Sequence, residues 1–449
     1  MNPKLLLCLA AAFLTLAVMP AGASSGRLVI HEWGTFTSLQ DGAGEMIAGV
    51  NTDDEPVPGF VHGIGNTVTH NVSQMSPAFQ ANMTKGGIPR LHPDVTMRLE
   101  TPVVYFHLPK GVDHMTLDLD VTFKGGWLSQ YYPDAESNTS TEDVATKHIT
   151  ADTVGTLSWK GLEVGGKKAG PETTEHVWLA PRAVHASPVT TAKGESEKYL
   201  FYRGVGKLDK TLLPMTIVRE PEGGHTIWTA QTVRHLKSWL VDVREDGKIA
   251  FRHGHDPERG LAFYQPFKEK EYAASNLPLL KNYMQGALTV AGLFQDEAKA
   301  MVNTWEYSYF KSPGQRLFYI VPKEWVNLVL PMKVSVPADI TRVMVGRIEL
   351  VHPRQQEALS EMKRSSADGI SSFIRKSTTD VKDWTLYQDV SAGKKPLDAL
   401  GADVPKIYKS YLKLGRFRDA ILLEETAKRP APSLKAFVRE NQISMHEVK

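Results

Sequence analysis

The stretch Val29-Ile30-His31-Glu32-Trp33-Gly34-Thr35-Phe36-Thr37 constrains this chain more than any other. It is rich in β-branched and aromatic residues and lies between Ser24-Ser25-Gly26 and Asp41-Gly42-Ala43-Gly44, so it reads as a β-strand. Side chains alternate along a strand, which puts His31 with Val29 and Trp33 on one face and Glu32 with Ile30 and Phe36 on the other. If Ile30 and Phe36 enter a core, Glu32 enters with them. A buried carboxylate must be paired, protonated or metal-bound, because an isolated ion in an apolar site costs several kcal/mol or more.

The residues before this strand read as a cleavable leader over positions 1–23. Lys4 gives a positive start, Leu5 to Met19 an apolar core, and Ala21-Gly22-Ala23 a small-residue cleavage site. The apolar run is short for a membrane span, and the mature chain is expected to contain none. The single cysteine, Cys8, falls inside the leader. The mature chain therefore has no thiol, which excludes cysteine nucleophiles, disulfides and thiolate-bound metals. A divalent metal would need His, Asp, Glu or Met. The chain carries a net charge of +2, and removing Lys4 leaves +1. No basic stripe with interleaved aromatics is present, which argues against nucleic acid as a partner. These features predict a periplasmic or secreted protein.

A long irregular tract, from Gln40 to about Asp94, shows neither strand nor helix periodicity. Strand patterns resume at Met97 to His107, where Pro102 implies an edge or a bulge. The clearest alternation is Met115 to Phe123, with Met115, Leu117, Leu119, Val121 and Phe123 on one face. Further strands are expected at 154–160, 199–203, 215–219, 225–229, 236–243 and 249–252, with hairpin turns at Glu222-Gly223-Gly224 and Glu245-Asp246-Gly247. Beyond Glu269 the spacing turns helical over 277–288 and 296–310, an αα-hairpin. Strands follow at 317–321, 326–330 and 343–351, and the tail is helical. The predicted class is α+β: an antiparallel β-sandwich of one or two lobes over 24–265, a mixed region over 266–352 and a helical region over 353–449.

Seven stretches carry a likeness: His31 to Thr37, Glu55 to His62, Glu100 to Phe106, Leu200 to Gly204, Asp296 to Met301, Leu317 to Pro322 and Val345 to Glu349. Through them the chain resembles a group of uncharacterised exported bacterial proteins that have His-Glu-Trp-Gly-Thr-Phe-Thr close to the mature N-terminus. The resemblance spans about Val29 to Val351 and implies export and a bacterial source. It implies no activity.

Several constellations could carry chemistry. His31, Glu32 and Glu100 would converge if the first strand pairs with the strand at Met97, giving an acid–base or metal-assisted site. Against this, Glu32 could pair with Arg98 or Arg203 and only fix strand register. Asp53, Asp54, Glu55 and His62 form an acidic loop with hard ligands. His253-Gly254-His255 puts two imidazoles on one face of an extended segment, as metal sites do. His70, Met75, Met83, His92 and Met97 form a looser scatter of soft ligands. Among the aromatics, Trp33, Tyr131 and Tyr132, together with Glu55, His62 and Arg203, are candidates for binding a ligand on a β-face. No phosphate loop, Gly-x-Ser-x-Gly elbow or His-Glu-x-x-His is present. Two readings remain: a β-rich platform that binds an unidentified protein or envelope polymer, and a hydrolase using His31, Glu32 and Glu100.

Overall fold

The computed structural model describes residues 26–52, 57–64, 88–167, 170–208, 213–229, 237–254, 261–370, 395, 399 and 404–448. The first strand, β1, runs Leu28–Gln40, longer than the motif that predicts it and buried along almost its whole length. After it come β2 (His62–Gly63), β3 (Met97–His107), β4 (His114–Lys124), β5 (Gly126–Tyr132), β6 (Glu136–Ser137), helix α1 (Thr141–Thr146) and β7 (Val154–Gly165). Helix α2 (His176–Arg182), β8 (Val189–Thr190), β9 (Ser196–Glu197), β10 (Leu200–Gly206), β11 (Met215–Arg219), β12 (His225–Thr229), β13 (Ser238–Val243), β14 (Ile249–Gly254) and β15 (Leu261–Tyr264) follow. The αα-hairpin is α3 (Asn276–Val290) and α4 (Gln295–Thr304), and a π-helical turn, Glu306–Lys311, leads out of it. Then come β16 (Gly314–Ile320), α5 (Lys323–Val329), β17 (Met332–Val334), β18 (Ala338–Leu350), α6 (Pro353–Arg364), α7 (Lys406–Leu412), α8 (Arg418–Lys428) and α9 (Pro432–Glu440).

One large mixed sheet organises these elements. Its order is β14-β13-β16-β18-β1-β3-β10-β5-β7-β4-β17, with the short strands β2, β6, β8 and β9 alongside; β11, β12 and β15 form a separate small sheet. The expectation of a β-sandwich is corrected here. The sheet is mostly antiparallel, does not close, and is not two stacked lobes. The reason lies in its centre, where β1 pairs in parallel with β18 over its full length, from Leu28↔Ala338 to Gln40↔Leu350. A parallel neighbour requires a long crossover, and nearly the whole chain lies between these two strands. Strands on both sides of position 265 therefore share one sheet. The segment 326–330, expected as a strand, is instead the last turn of α5 and its C-cap, Leu330. Val326, Val329 and Leu330 recur at helical spacing, all three are buried, and Pro322 stands at the helix start.

Alternation along β1 assigns its two faces. Ile30 and Phe36 join Leu99, Val104, Leu119 and Trp159 in one core. Trp33 joins Val103, Tyr105 and the buried stripe of the αα-hairpin, including Leu280, Met284, Ala298 and Met301, in another. A third core holds the C-terminal helices against Leu39, Ile47 and Val50. Pro102 sits in a bulge of β3 between two paired strands, not at an edge. The register passes from Trp33↔Val103 directly to Thr35↔Glu100. Gly34 faces this bulge, and a Cβ there would lie 2.9 Å from the Pro102 Cα, so the motif needs glycine at this point. Among the described residues, no helix is long and apolar enough to cross a membrane.

A second glycine gives a test of this packing. Gly346 is opposite Tyr319 in the β16–β18 pair, and a Cβ on it would come within 2.1 Å of the tyrosine Cζ. Tyr319 is buried and cannot swing into solvent. Gly346→Ala should therefore lose about 2–3 kcal/mol by overpacking, read as a shift in the urea midpoint. In a Tyr319→Leu background the same change should cost far less, because the ring it strikes is gone. Equal costs in both backgrounds would refute this account of the contact.

Candidate metal centre

His31 and His107 stand on the same face of the sheet. His31 is opposite Tyr105 in the β1–β3 pair, and His107 follows Tyr105 by two residues, which is the strand repeat. Helix α4 lies over this face and contributes Glu297 from its first turn. The carboxylate sits between the two rings. Its Oε2 is 2.7 Å from His31 Nδ1 and its Oε1 is 2.8 Å from His107 Nε2. The Phe294 backbone N–H donates to Oε2 at 2.7 Å, and the Phe294 ring packs on both imidazoles, with centroids 4.5 and 4.8 Å away. Glu297 is fully buried, His31 nearly so, and the His107 side chain is 15% exposed, which leaves one rim of the cluster open to solvent.

Burial alone would push the Glu297 carboxyl upward. The hydrogen bonds from His107 and His31, the charge on His31 and the Phe294 N–H outweigh it and hold the group below the usual carboxylate range. Its place in the first turn of α4 adds the favourable end of the helix dipole. Tyr105, fully buried beside the centre, is pushed well above its ordinary value by burial and then by the charges of Glu297 and Asp296. It stays a phenol, and its hydroxyl donates to the Pro181 carbonyl at 3.0 Å. The rim carries a second pair, with Asp296 Oδ2 accepting the His185 backbone N–H at 2.9 Å and lying 3.1 Å from His185 Nδ1.

One donor atom from each of His31, His107 and Glu297 can be chosen so that all lie within 4.8 Å of one another. Two imidazole nitrogens and a carboxylate suit zinc and the other divalent first-row ions, which take such ligands at about 2.0–2.2 Å. The two N···O separations need to widen only slightly to admit an ion. Each carboxylate oxygen already faces one ring nitrogen, so chelation through both would supply four donor atoms from the chain alone.

The convergence expected of His31, Glu32 and Glu100 does not occur. Glu32 is fully buried on the opposite face, as its alternation with Ile30 and Phe36 requires. It pairs with neither Arg98 nor Arg203. Its Oε2 is 2.6 Å from Arg342 Nε, across the parallel β1–β18 pair, and its Oε1 accepts the Tyr202 hydroxyl. Glu100 shares the His31 face but is opposite Thr35, four residues and about 13 Å further along. There it accepts from Thr37 Oγ1 at 2.9 Å and pairs with Arg98 at 3.1 Å and with Arg416. Arg203 donates from Nε to Thr101 Oγ1 at 3.1 Å.

The other candidates are scattered. Trp33 is fully buried beside Tyr105 and presents no surface to a ligand. His62, Tyr131 and Tyr132 do come together, because β2 pairs with β5. The His62 ring stacks on both tyrosines, and its Nε2 lies 2.8 Å from Glu195 Oε2. Glu55 lies outside the described residues, with Asp53, Asp54, His70, Met75 and Met83. His253 is the penultimate residue of β14, with its ring 4.2 Å from that of Tyr283, and its expected partner His255 is again outside the described residues. His92 is buried between Trp127 and His446, and Met97 is a core residue. Sequence reasoning overlooked His107 and Glu297, although both carried a signal. His107 continues the face of Thr101, Val103 and Tyr105, and Glu297 stands four residues before Met301 on the buried stripe of its helix.

No family model matches the chain, and no curated protein does. Weak likenesses to solved structures exist. The yeast delta-COP-I mu-homology domain matches with 8% identity over 72% of this chain and 97% of its own, at a TM-score of 0.25. The Fcho1 mu homology domain of Danio rerio with bound Eps15 peptide matches with 6% identity over 73% and 95%, also at a TM-score of 0.25. Superposition at that level assigns this chain neither a fold family nor a role.

Proposed function

We propose that this is an exported bacterial binding platform of the cell envelope, and that what its sheet holds first is a divalent transition-metal ion at His31, His107 and Glu297. The observation that carries the reading is the placement of one buried carboxylate, each oxygen aimed at a different imidazole from adjacent strands. The leader pattern of Lys4, Leu5 to Met19 and Ala21-Gly22-Ala23 supports export. A mature chain without thiols leaves imidazole and carboxylate as the natural donors in that compartment.

Tight holding fits the site better than hydrolysis does. A hydrolytic ion needs a coordination position where water and substrate can meet. Here Phe294 packs on both rings and Glu297 is wholly enclosed, so solvent meets the cluster only along the His107 rim.

The test is metal uptake by the whole chain. Chelator-treated protein titrated with Zn²⁺ or Co²⁺ should take up one equivalent, with a tetrahedral cobalt absorption spectrum. His31→Ala, His107→Ala and Glu297→Gln should each weaken uptake by about 100-fold or more, since even removing outer-shell partners costs up to that much. Glu32→Gln should not weaken it in folded protein, because Glu32 is on the other face. Wild-type protein that takes up no ion, or three ligand variants that bind like wild type, would sink the proposal.

A further inference from the structure

The outer side of α3 presents an apolar stripe to solvent. Leu279, Tyr283, Gly286 and Val290 recur at alternating intervals of four and three residues, which sets them in one line along the helix. Leu279 is 48% exposed, Tyr283 52% and Val290 84%. The inner side is a different set: Leu280, Met284 and Leu288 are buried and hold the helix in its core. Lys281 is the one charged residue of α3, and it lies off the stripe with its Nζ 2.8 Å from Glu306. No other charge occurs between Tyr272 and Phe294.

Gly286 is the member of this stripe that the packing of the chain does not explain. Glycine inside a helix is less favourable than alanine, because it has more backbone freedom to lose. Gly286 is exposed, its backbone is not left-handed, and a Cβ on it would meet nothing within 4 Å. Neither a tight contact nor an unusual φ therefore calls for glycine here. The close approach of a second helix does, because a missing side chain leaves room for a large one opposite. Tyr283 is the large residue of the same stripe. Its ring is steadied on one side by His253, 4.2 Å away between centroids, so it loses little freedom when its other side is covered.

We propose that this stripe pairs α3 with the same helix of a second copy of the chain, antiparallel about a two-fold axis. With the axis midway between Met284 and Gln285, Tyr283 lies over the partner's Gly286 and Leu279 lies against the partner's Val290. Each contact then occurs twice, as an isologous interface requires. The largest side chain of the stripe meets the one position that has none, so the surface is its own complement in shape. It is its own complement in charge as well, since a stripe with net charge would repel its copy and this one has none. A helix of this length extends about 22 Å. One helix pair of that length covers less than the roughly 800 Å² per partner of a standard interface, so the dimer is a weak one.

Sedimentation velocity of the mature chain, from Ser24 onward, should show a monomer–dimer equilibrium with a Kd of roughly 10–100 μM. Leu279→Glu places a charge in the seam and should raise that Kd about 10-fold or more. Gly286→Leu separates fit from mere stickiness. It adds exposed apolar surface and favours the helix, yet it fills the space that the partner's Tyr283 needs. It should fold at least as well as wild type and still dimerise about 10-fold more weakly. Cross-linking reads the register, because the chain from Ser24 onward has no cysteine. Leu279→Cys mixed with Val290→Cys should give a disulfide-linked dimer on mild oxidation. Neither variant alone should, since equal positions stand about 16 Å apart along the helix axis. A wild-type chain that stays monomeric at about 1 mM overturns the proposal and leaves the stripe to a different partner. A dimer indifferent to Leu279→Glu, a Gly286→Leu variant that associates as tightly as wild type, or cysteine variants that each cross-link with themselves would overturn it too.

Discussion

Arg342→Met is expected to destabilise the protein by about 3–5 kcal/mol, the cost of leaving a buried carboxylate without its counter-charge. Glu32 has no exposure, and Arg342 is its only ionic partner among the described residues, at 2.6 Å. The Tyr202 hydroxyl also donates to it, and burial together with the Glu32 charge keeps that phenol protonated. One neutral donor cannot replace a cation in this setting. Glu32→Gln alone should cost a similar amount, because it strands the guanidinium. The double variant Glu32→Leu, Arg342→Met should recover most of the loss, since a buried ion pair replaced by apolar groups of like volume is often neutral. Urea unfolding of the two single variants and the double gives the coupling. Additive costs would show that the pair is not the unit proposed. The folded double variant should also take up metal like wild type, because His31 projects from the other face of β1.

That experiment marks how far the sequence could be read. The first strand, the burial of Glu32 and its company with Ile30 and Phe36 all followed from alternation, a local property. So did the strand at Met115, whose apolar positions from Leu117 to Phe123 are the buried ones. The αα-hairpin and the helical character of the tail were legible for the same reason. The partner of Glu32 was not legible, because Arg342 lies 310 residues away and meets it only through the parallel β1–β18 pairing. Parallel pairing leaves no turn signal between its strands, and the same blind spot produced the β-sandwich expectation. The candidate metal centre was half visible. His31 stood out as an ionisable residue in a strand. His107 and Glu297 looked like the end of one element and the polar start of another, and only the docking of α4 on the sheet brings the three together.

Acidification gives the second large effect, between about pH 6.5 and 4, and its origin is two imidazoles outside the candidate metal centre, His92 and His225. His92 is held down to about 4 by burial first, with the charges of His446 and His148 adding to it and Asp94 opposing. Its Nδ1 accepts the Asp94 N–H at 3.2 Å, and its Nε2 is buried with no partner among the described residues, so the native site has no place for a second ring proton. His225 is likewise held down to about 4 by burial, then by Arg219 and His352, with Asp242 and Gln315 opposing. In the unfolded chain both rings titrate near their ordinary value of about 6.5. The native state has the depressed values, so the unfolded state binds more protons throughout this window. Stability must therefore fall as the pH drops from 6.5, reach its full loss near 4 and level off below, apart from carboxylates that then protonate. Each histidine should contribute about 3 kcal/mol. His92→Asn keeps an acceptor for the Asp94 N–H, and His225→Phe keeps a ring. Whatever either costs at pH 7 through altered packing, each should remove its share of the loss between pH 7 and 4.5. Urea midpoints at the two pH values give that difference directly, and a double variant that loses as much on acidification as wild type would assign the acid sensitivity elsewhere.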